Sequence, residues 1–541
     1  MNFVNDLINR GYLVSPGLLK EKDLDSELIF NKLDKVKEKP LVIDKNIYNI
    51  LKKSNDFSTD ISWKEFDKSK VYYEKSNDSK NYNTFLDILN YNLNEENKVK
   101  IDKIVEKISK PQEFNFDNDA IEPTIIVIKN YEEDIKKRNV QDFVKHFKSR
   151  YNSLKNILIN RLELKDCISI NRVSNKNNGS RVSIIGLISD KRTTKNGNIF
   201  FELEDLTGKI TCIVGKNNKE MFEFSQDLML DEVIGLTGTY SDNIIFANTL
   251  LLPDIPMNNE LKRIDEEFYC VFTSDIHVGS KMFLEKDFLN FIDWLNGNYG
   301  DENQRQIASK IKFLFLGGDL IEGVGIYPAQ EDDLLFKDIK KQYDVLSEYL
   351  IKIRKDIQIV IIGGNHDSLR LAEPQPKLHP VYAKSIYELG NTTILTNPSM
   401  VNIFSSKDFE GFNILLYHGS SYPYLADNVE SVRIKGRLDR ADLIMKHSLQ
   451  ARHLAPTHNS VQYIPGEEDT LVIDKIPDFY LSGHIHKVTA LNYRGVTLIG
   501  GGCWTEQTED QEKRGIVPEP SKVVVVNMKS REVKIFNFKE E

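Results

Sequence analysis

The sequence predicts a multidomain protein with a small helical module at its N-terminus, an all-β domain in the middle and a layered α/β domain over the C-terminal half. Three observations carry this reading. Apolar residues recur at helical spacing near the N-terminus (Phe3, Val4, Leu7, Ile8; Leu24, Leu28, Ile29, Leu33), the apolar period drops to two between about 170 and 255, and five short apolar runs in the second half stop abruptly at Gly, Asp, Asn or His. A buried strand that ends in such residues opens into a loop, and α/β sheets place their chemistry at strand ends.

Length and composition bound the rest. At 541 residues the chain is too long for one core, and 40% hydrophobic with 28% charged residues is ordinary for a water-soluble protein. No apolar run approaches the length of a bilayer, and the opening residues lack a basic region followed by an apolar core, so a cytoplasmic location without membrane contact is expected. Cys167, Cys212, Cys270 and Cys503 are widely spaced and form no CxxC pair, which points to reduced core residues and excludes a disulfide framework. The net charge of −9 lacks the basic surface with which a chain grips nucleic acid unaided.

In chain order, residues 1–71 read as the helical module, with breaks at Gly11 and at Ser15-Pro16-Gly17. Residues 72–130 read as a polar linker rich in Asn, Asp, Lys and Ser. Residues 131–168 hold an amphipathic connecting helix. Asn139 is its expected N-cap with Asp142 three residues on, and Val140, Phe143, Val144, Phe147, Tyr151, Leu154, Ile157 and Leu158 form one stripe. The opposite face is expected to carry Lys145, Lys148, Arg150 and Lys155 to solvent, or else to present them to DNA or a second subunit.

Residues 169–256 hold five strands joined by polar turns, among them Asp205-Leu206-Thr207-Gly208. Five strands in this order resemble an OB-fold, whose sheet face in many members binds single-stranded nucleic acid through aromatics; Phe200, Phe201 and Tyr240 are available for that role. A structural or subunit-contacting barrel is an equal expectation. Residues 262–541 form the α/β domain, with Phe288, Phe291, Ile292, Leu295 and then Leu335, Ile339, Tyr343, Leu346, Leu350, Ile353 at helical period between strands roughly forty residues apart, as βαβ units require. Val523 to Val526 and the run from Val533 to Phe538 alternate like a closing strand pair.

The loops that follow the five runs are Asp275-Ile276-His277, Gly317-Gly318-Asp319, Gly363-Gly364-Asn365-His366-Asp367, Tyr417-His418-Gly419 and Gly483-His484-Ile485-His486. Carboxylate, amide and imidazole groups converging from five strand ends suit two divalent cations a few ångströms apart, sharing one carboxylate. Asp319 is the expected bridge. Asp275, His277 and His486 would complete one shell, and Asn365, His418 and His484 the other. Four imidazoles in this set favour manganese, with iron or zinc also suitable, and disfavour magnesium.

The ordered set of motifs over about 268–505 closely resembles the calcineurin-like metallophosphoesterase superfamily. The resemblance implies hydrolysis of a phosphoester, with His366 as the general acid that protonates the leaving oxygen and Asp367 orienting its ring. His146, His379 and His447 belong to no motif and are expected to be structural. Arg452 and His453, in Arg452-His453-Leu454-Ala455-Pro456, are candidate substrate-binding residues.

The domain order narrows the substrate. A helical module, a linker, an OB-like domain and then a phosphoesterase domain resembles the small subunits of archaeal family D DNA polymerases, and the local run from Phe272 to Ser280 and the segments around His418 and His453 carry the likeness. That family implies a 3′–5′ proofreading exonuclease acting on a DNA 3′ end beside a large catalytic polymerase subunit, with the sliding clamp as a further possible partner. Two other readings fit the residues: a stand-alone metal-dependent nuclease or phosphodiesterase, and a non-catalytic polymerase scaffold.

Overall fold

The computed structural model describes residues 13–14, 42–43, 124–131, 136–513 and 515–540. The chain divides into two compact units, Met1–Asp117 and Asn118–Glu541. In the first, β1 (Leu13–Val14) pairs in parallel with β2 (Val42–Ile43). The helical module expected over 1–71 otherwise lies outside the described residues, as does the linker expected over 72–130 up to residue 123.

The second unit begins earlier than the sequence reading placed it. Ile125–Lys129, assigned to the linker, is strand β3, and it pairs antiparallel with residues of 399–403. Its Ile-Ile-Val-Ile-Lys sequence is β-prone and joins a sheet whose other strands lie more than 250 residues away, so no local pattern could assign it.

The connecting helix α1 (Val140–Leu158) has the expected capping box: the Asn139 side chain and the Asp142 carboxylate satisfy each other's backbone N–H groups. Its buried face differs from the expected stripe. His146, Arg150, Tyr151, Leu154 and Leu158 are buried, whereas Val140, Phe143 and Val144 are exposed. Arg150 therefore leaves the solvated face. Its Nε donates to Asp469 Oδ2 at 2.6 Å and Nη1 to the Pro456 carbonyl at 2.7 Å, and a buried ion pair overrides the helical-wheel position.

The middle domain is a closed five-stranded barrel of β4 (Arg181–Thr193), β5 (Ile199–Asp205), β6 (Gly208–Val214), β7 (Val233–Ser241) and β8 (Ile244–Leu251), in the order β4-β5-β6-β8-β7. Asp205 builds the expected turn, with Oδ1 accepting from the N–H groups of Thr207 at 2.7 Å and Gly208 at 3.0 Å. Alternation sends Phe201, Leu203, Cys212, Leu236, Tyr240 and Ile245 into the barrel core. Of the three aromatics expected on an outer face, only Phe200 is there, with the Arg192 guanidinium 4.2 Å from its ring centroid.

The C-terminal domain consists of two six-stranded mixed sheets. The strands are β9 (Tyr269–Thr273), β10 (Ile311–Leu316), β11 (Gln358–Ile361), β12 (Thr392–Ile394), β13 (Ser399–Ile403), β14 (Phe412–Leu416), β15 (Phe479–Ser482), β16 (Val488–Tyr493), β17 (Val496–Gly501), β18 (Lys522–Asn527) and β19 (Val533–Asn537). Sheet one runs β12-β11-β10-β9-β18-β19 and sheet two β16-β17-β15-β14-β13-β3. One apolar layer joins them: Phe272, Phe315 and Val360 from the first meet Ile414, Leu481 and Ile499 from the second. Alternate residues Val271, Leu314 and Ile359 face outward onto α2 (Glu285–Leu295) and α3 (Ile339–Leu350), and Leu415, Tyr480 and Leu498 onto α4 (Ala441–Ala451). The result is four layers, helix on sheet on sheet on helix. Leu335, expected in the second helical stripe, lies before α3, which starts after Asp338 caps the Lys340 N–H.

The expectation of βαβ units holds for β9, β10 and β11, which are parallel neighbours. The next crossing, from β11 to β12, is parallel as well, but β13 then enters the second sheet, so the expectation fails for the strand of the fourth motif, and the last two motifs follow β14 and β15. Among the described residues no helix is long and apolar enough to cross a membrane. All four cysteines are free, and all but Cys167 are buried.

Asp469 ties α1 to the α/β domain, because its buried Oδ2 also lies 2.9 Å from His453 Nε2 and 3.3 Å from His146 Nε2. Replacing it strands a buried guanidinium. Asp469→Ala is expected to lower stability by about 3–5 kcal/mol in denaturant unfolding of the full chain, whereas the same change at exposed Glu467, paired to Lys145 at 3.5 Å, should cost about 0–1 kcal/mol.

Candidate metal centre

Three strand ends of sheet one and two of sheet two deliver the motif residues to one place. At β9 the chain turns sharply: Asp275 and His277 adopt φ of +53° and +56°, and Asp319 after β10 adopts +49°. His484 and His486 after β15 adopt +71° and +55°. Left-handed backbone at five non-glycine residues costs of order 1–3 kcal/mol each and persists only where the surroundings enforce it. Here backbone bonds do so: the Asp275 N–H donates to the Gly318 carbonyl at 2.9 Å and the His277 N–H to the Asp319 carbonyl at 3.0 Å. Gly364 is required by close approach, since a Cβ there would lie 2.2 Å from Asp319 Oδ1.

The side chains form two groups. Asp275, His277 and His486 bring one donor atom each together, as do Asp319, His418 and His484. Asn365 Oδ1 joins the second group, 3.1 Å from His418 Nε2 and 2.8 Å from His484 Nδ1. Asp319 Oδ2 stands between the groups, 3.1 Å from His418 Nε2 and 3.9 Å from His277 Nε2. Asp275, His277, Asp319, His418 and His486 are all buried.

Hydrogen bonding shows what this cluster would accept. His418 Nδ1 lies 2.9 Å from the Gly317 carbonyl, which can only accept, so Nδ1 carries the proton and Nε2 of the neutral ring presents a lone pair. That lone pair faces Asp319 Oδ2 and Asn365 Oδ1, both acceptors. His277 repeats the arrangement. Its Nδ1 is held by Glu322 Oε2 at 2.9 Å, and its Nε2 faces His486 Nε2 at 3.2 Å. Buried acceptors aimed at one another need positive charge between them. The donor set therefore fits two divalent cations, with mixed oxygen and imidazole ligands on each side and Asp319 shared.

The titration of these groups follows the same charges. Burial works to lower the His418 pKa, but the Asp319 carboxylate outweighs it and the ring rises to about 9. Burial also opposes ionisation of Asp319, yet the surrounding imidazoles of His418, His366 and His277 hold it well below the usual carboxylate range. His484 is pushed down to about 3 by burial and by the charge of His418. The positive charge that the lone pair of the neutral ring would take from a cation is met in these titrations by a second proton on His418 Nε2.

His366 sits beside the cluster, its ring centroid 4.6 Å from that of His277 in an edge-to-face arrangement. Its backbone N–H donates to Asp319 Oδ1 at 2.8 Å, and its Nδ1 donates to the Glu322 carbonyl at 2.9 Å. Asp367 does not orient this ring. Its carboxylate accepts from the N–H groups of Gly364 at 2.8 Å and Leu320 at 3.3 Å and from Tyr343 Oη at 3.0 Å, so it braces the loop backbone instead. Burial and the nearby Asp319 charge raise its pKa to about 7.

Arg452 and His453 are not brought to the cluster. Arg452 is 3% exposed, with Nε donating to the Ile473 carbonyl at 2.7 Å and Nη2 to the Asp474 carbonyl at 2.8 Å. His453 is 1% exposed against Asp469, and burial pushes its ring down to about 4. Their hydrogen bonding is spent on holding the 452–474 loop, which corrects the expectation of substrate contacts.

Two residues escaped the sequence reading. Glu322 fixes the His277 tautomer through its carboxylate and the His366 ring through its carbonyl, and Gln511 Nε2 lies 3.0 Å from His486 Nδ1. The signal for Glu322 was a carboxylate on the same turn, three residues after Asp319. Gln511 lies in the short helix Glu509–Lys513, where no pattern marks it.

This fold and site place the chain in a class that the comparisons define. The family of DNA polymerase alpha/epsilon B-subunits matches residues 271–489, and the family described as OB-fold nucleic acid binding domain matches residues 182–243. The DNA polymerase II small subunit of Methanothermobacter thermautotrophicus is 42% identical over 72% of this chain and 78% of that protein. Those of Pyrococcus abyssi and Methanocaldococcus jannaschii are each 38% identical, over 74% and 72% of this chain and over 63% and 64% of theirs. The chain belongs to the family of DNA polymerase II small subunits.

Two outcomes follow. Glu322→Ala should weaken metal binding by about 10–100-fold in a metal titration, because the His277 ring loses its orienting carboxylate. Behind His418, Glu373 Oε2 accepts from Tyr417 Oη at 3.1 Å, and burial raises its pKa to about 7 against the hydrogen bonds from Ser420 and Tyr417. The folded state thus holds this proton to higher pH than the unfolded chain, so Glu373 contributes a stability that is lost as pH rises from about 4.5 to 7. Glu373→Gln should flatten the fall in stability over that window in melts compared at pH 5 and pH 8.

Proposed function

We propose that the cluster holds two divalent cations and hydrolyses the terminal phosphodiester of a DNA 3′ end, making the chain the proofreading partner of a large catalytic polymerase subunit. The observation that carries this is the convergence of buried acceptors on Asp319 with His366 at its edge. When bound, the cations supply Lewis acidity toward the phosphate oxygens and lower the pKa of water. Manganese is the cation proposed, with iron and zinc as alternatives, because imidazole nitrogen makes up much of the donor set.

The chain's own residues supply position and proton. His366 Nδ1 is occupied by the Glu322 carbonyl, which leaves Nε2 to carry the transferable proton. The acid form is the doubly protonated ring; burial lowers its pKa, and the carboxylates of Asp319 and Glu322 work against that shift. As water attacks phosphorus, the bond to the 3′ oxygen of the preceding nucleotide breaks, and His366 protonates that oxygen as it leaves. The net charge of −9 suits a division of labour in which the large subunit grips the duplex.

The test is release of mononucleotides from a 3′-mismatched primer in Mn²⁺ by the chain with its large subunit. Asp319→Ala should abolish release and lower metal content. His366→Ala should reduce release by about 10²–10⁴-fold with metal content unchanged. Full activity in His366→Ala would remove the proposed acid, and an inert wild-type complex would leave a scaffold.

A further inference from the structure

The loop between Glu322 and Gln330 has a composition at odds with a phosphate site. It reads Gly323-Val324-Gly325-Ile326-Tyr327-Pro328-Ala329 and carries no charge. Yet it forms a wall of the cluster: a Cβ on Gly323 would lie 2.2 Å from the His366 carbonyl oxygen, and the Tyr327 ring centroid lies 6.4 Å from that of His366. Tyr327 is only partly buried, as are Val324 and Ile326, and Pro328 is exposed. Apolar surface beside buried charged groups is costly to leave in water and suits a flat apolar ligand.

The loop is rigidly held. Tyr327 Oη donates to Asp333 Oδ2 at 3.0 Å and lies 3.2 Å from Glu322 Oε1. Gln330 Nε2 donates to the Glu322 carbonyl at 3.0 Å while its Oε1 accepts from the Ile326 N–H at 2.9 Å. Glu322, which already fixes His277 and His366, thus also fixes the Tyr327 ring. A ring pinned at its hydroxyl end offers its face without losing rotamer freedom on binding.

We infer that Tyr327 is the stacking platform for the nucleobase on the leaving-group side of the scissile bond, the penultimate base of the 3′ end. This rests on the exonuclease reading above. The proton donor must sit beside the leaving 3′ oxygen, so an aromatic face flanking His366 meets the nucleoside that bears that oxygen. Base–aromatic stacking is sequence-tolerant because every base has a π-face, as an exonuclease requires.

The experiment compares the full-length chain with its large subunit, in Mn²⁺, on single-stranded oligonucleotides with either a normal or an abasic penultimate nucleotide. For the wild type, KM should rise about 5–150-fold on the abasic substrate. Tyr327→Leu should show that raised KM on both substrates, with the ratio near one, and Tyr327→Phe should keep the wild-type ratio. A wild-type ratio in Tyr327→Leu would overturn the inference. So would a Tyr327→Phe that behaves like Tyr327→Leu, since the hydroxyl tether to Glu322 alone would then matter. Bis(p-nitrophenyl) phosphate separates the two readings: a wild-type complex that cleaves neither it nor the oligonucleotides refutes the exonuclease itself, whereas cleavage with no abasic effect refutes only the platform.

Discussion

Asp319 stands where two groups of buried electron-pair donors meet, and much of the α/β domain's geometry follows from keeping them there. Its carboxylate faces His418 Nε2 and His277 Nε2 while its Oδ1 accepts the His366 N–H, so one side chain touches both halves of the cluster and the residue at its edge. Such a set is electrostatically incomplete without positive charge, and a buried site exacts that charge either as protons or as bound cations. The raised pKa of His418 and the depressed one of Asp319 are two expressions of that demand.

Holding such a set together requires a stiff frame. Two sheets share an apolar layer that includes the stacked pair Phe272 and Phe315, with ring centroids 4.9 Å apart, and both sheets end at the cluster. The left-handed backbone at Asp275, His277, Asp319, His484 and His486 turns each side chain inward directly after its strand. The loops that carry it are bonded to one another, within the second sheet as the Gly483 N–H is to the His418 carbonyl at 2.9 Å, and between the sheets as the His484 N–H is to Asp275 Oδ1 at 3.0 Å. Beyond these side chains, Glu322 acts as the organiser: a single residue sets the rotation of His277, His366 and Tyr327.

A second buried polar group belongs to a different task. Arg150, His146 and His453 gather around Asp469 and lock α1 against the 452–474 loop, while His447 Nε2 meets Glu232 Oε1 of the barrel at 2.8 Å. These contacts, among which Arg150–Asp469 is the ion pair, join one domain to the next. They also explain why a basic residue on a helix and an Arg-His pair near the last motif resembled binding residues in the sequence: the same residue types serve charge pairing in a core.

The sequence by itself determined which side chains would converge at the strand ends. The order and spacing of Asp275, His277, Asp319, Asn365, His366, His418, His484 and His486 were legible because each follows an apolar strand run and each is a ligand or acid type that packing alone does not demand. The five barrel strands and the capped helix at Asn139 were legible for a similar reason, since period and cap are local properties. Tertiary structure decided what depends on partners far along the chain. It divided the motif strands between two sheets, recruited β3 from the expected linker, withdrew Arg150, Arg452 and His453 into a buried network, and gave Asp367 to the backbone and Glu322 to the rings. A side chain's type is written in sequence, but its hydrogen-bond partner is chosen by which strand ends the fold brings within about 3 Å of it.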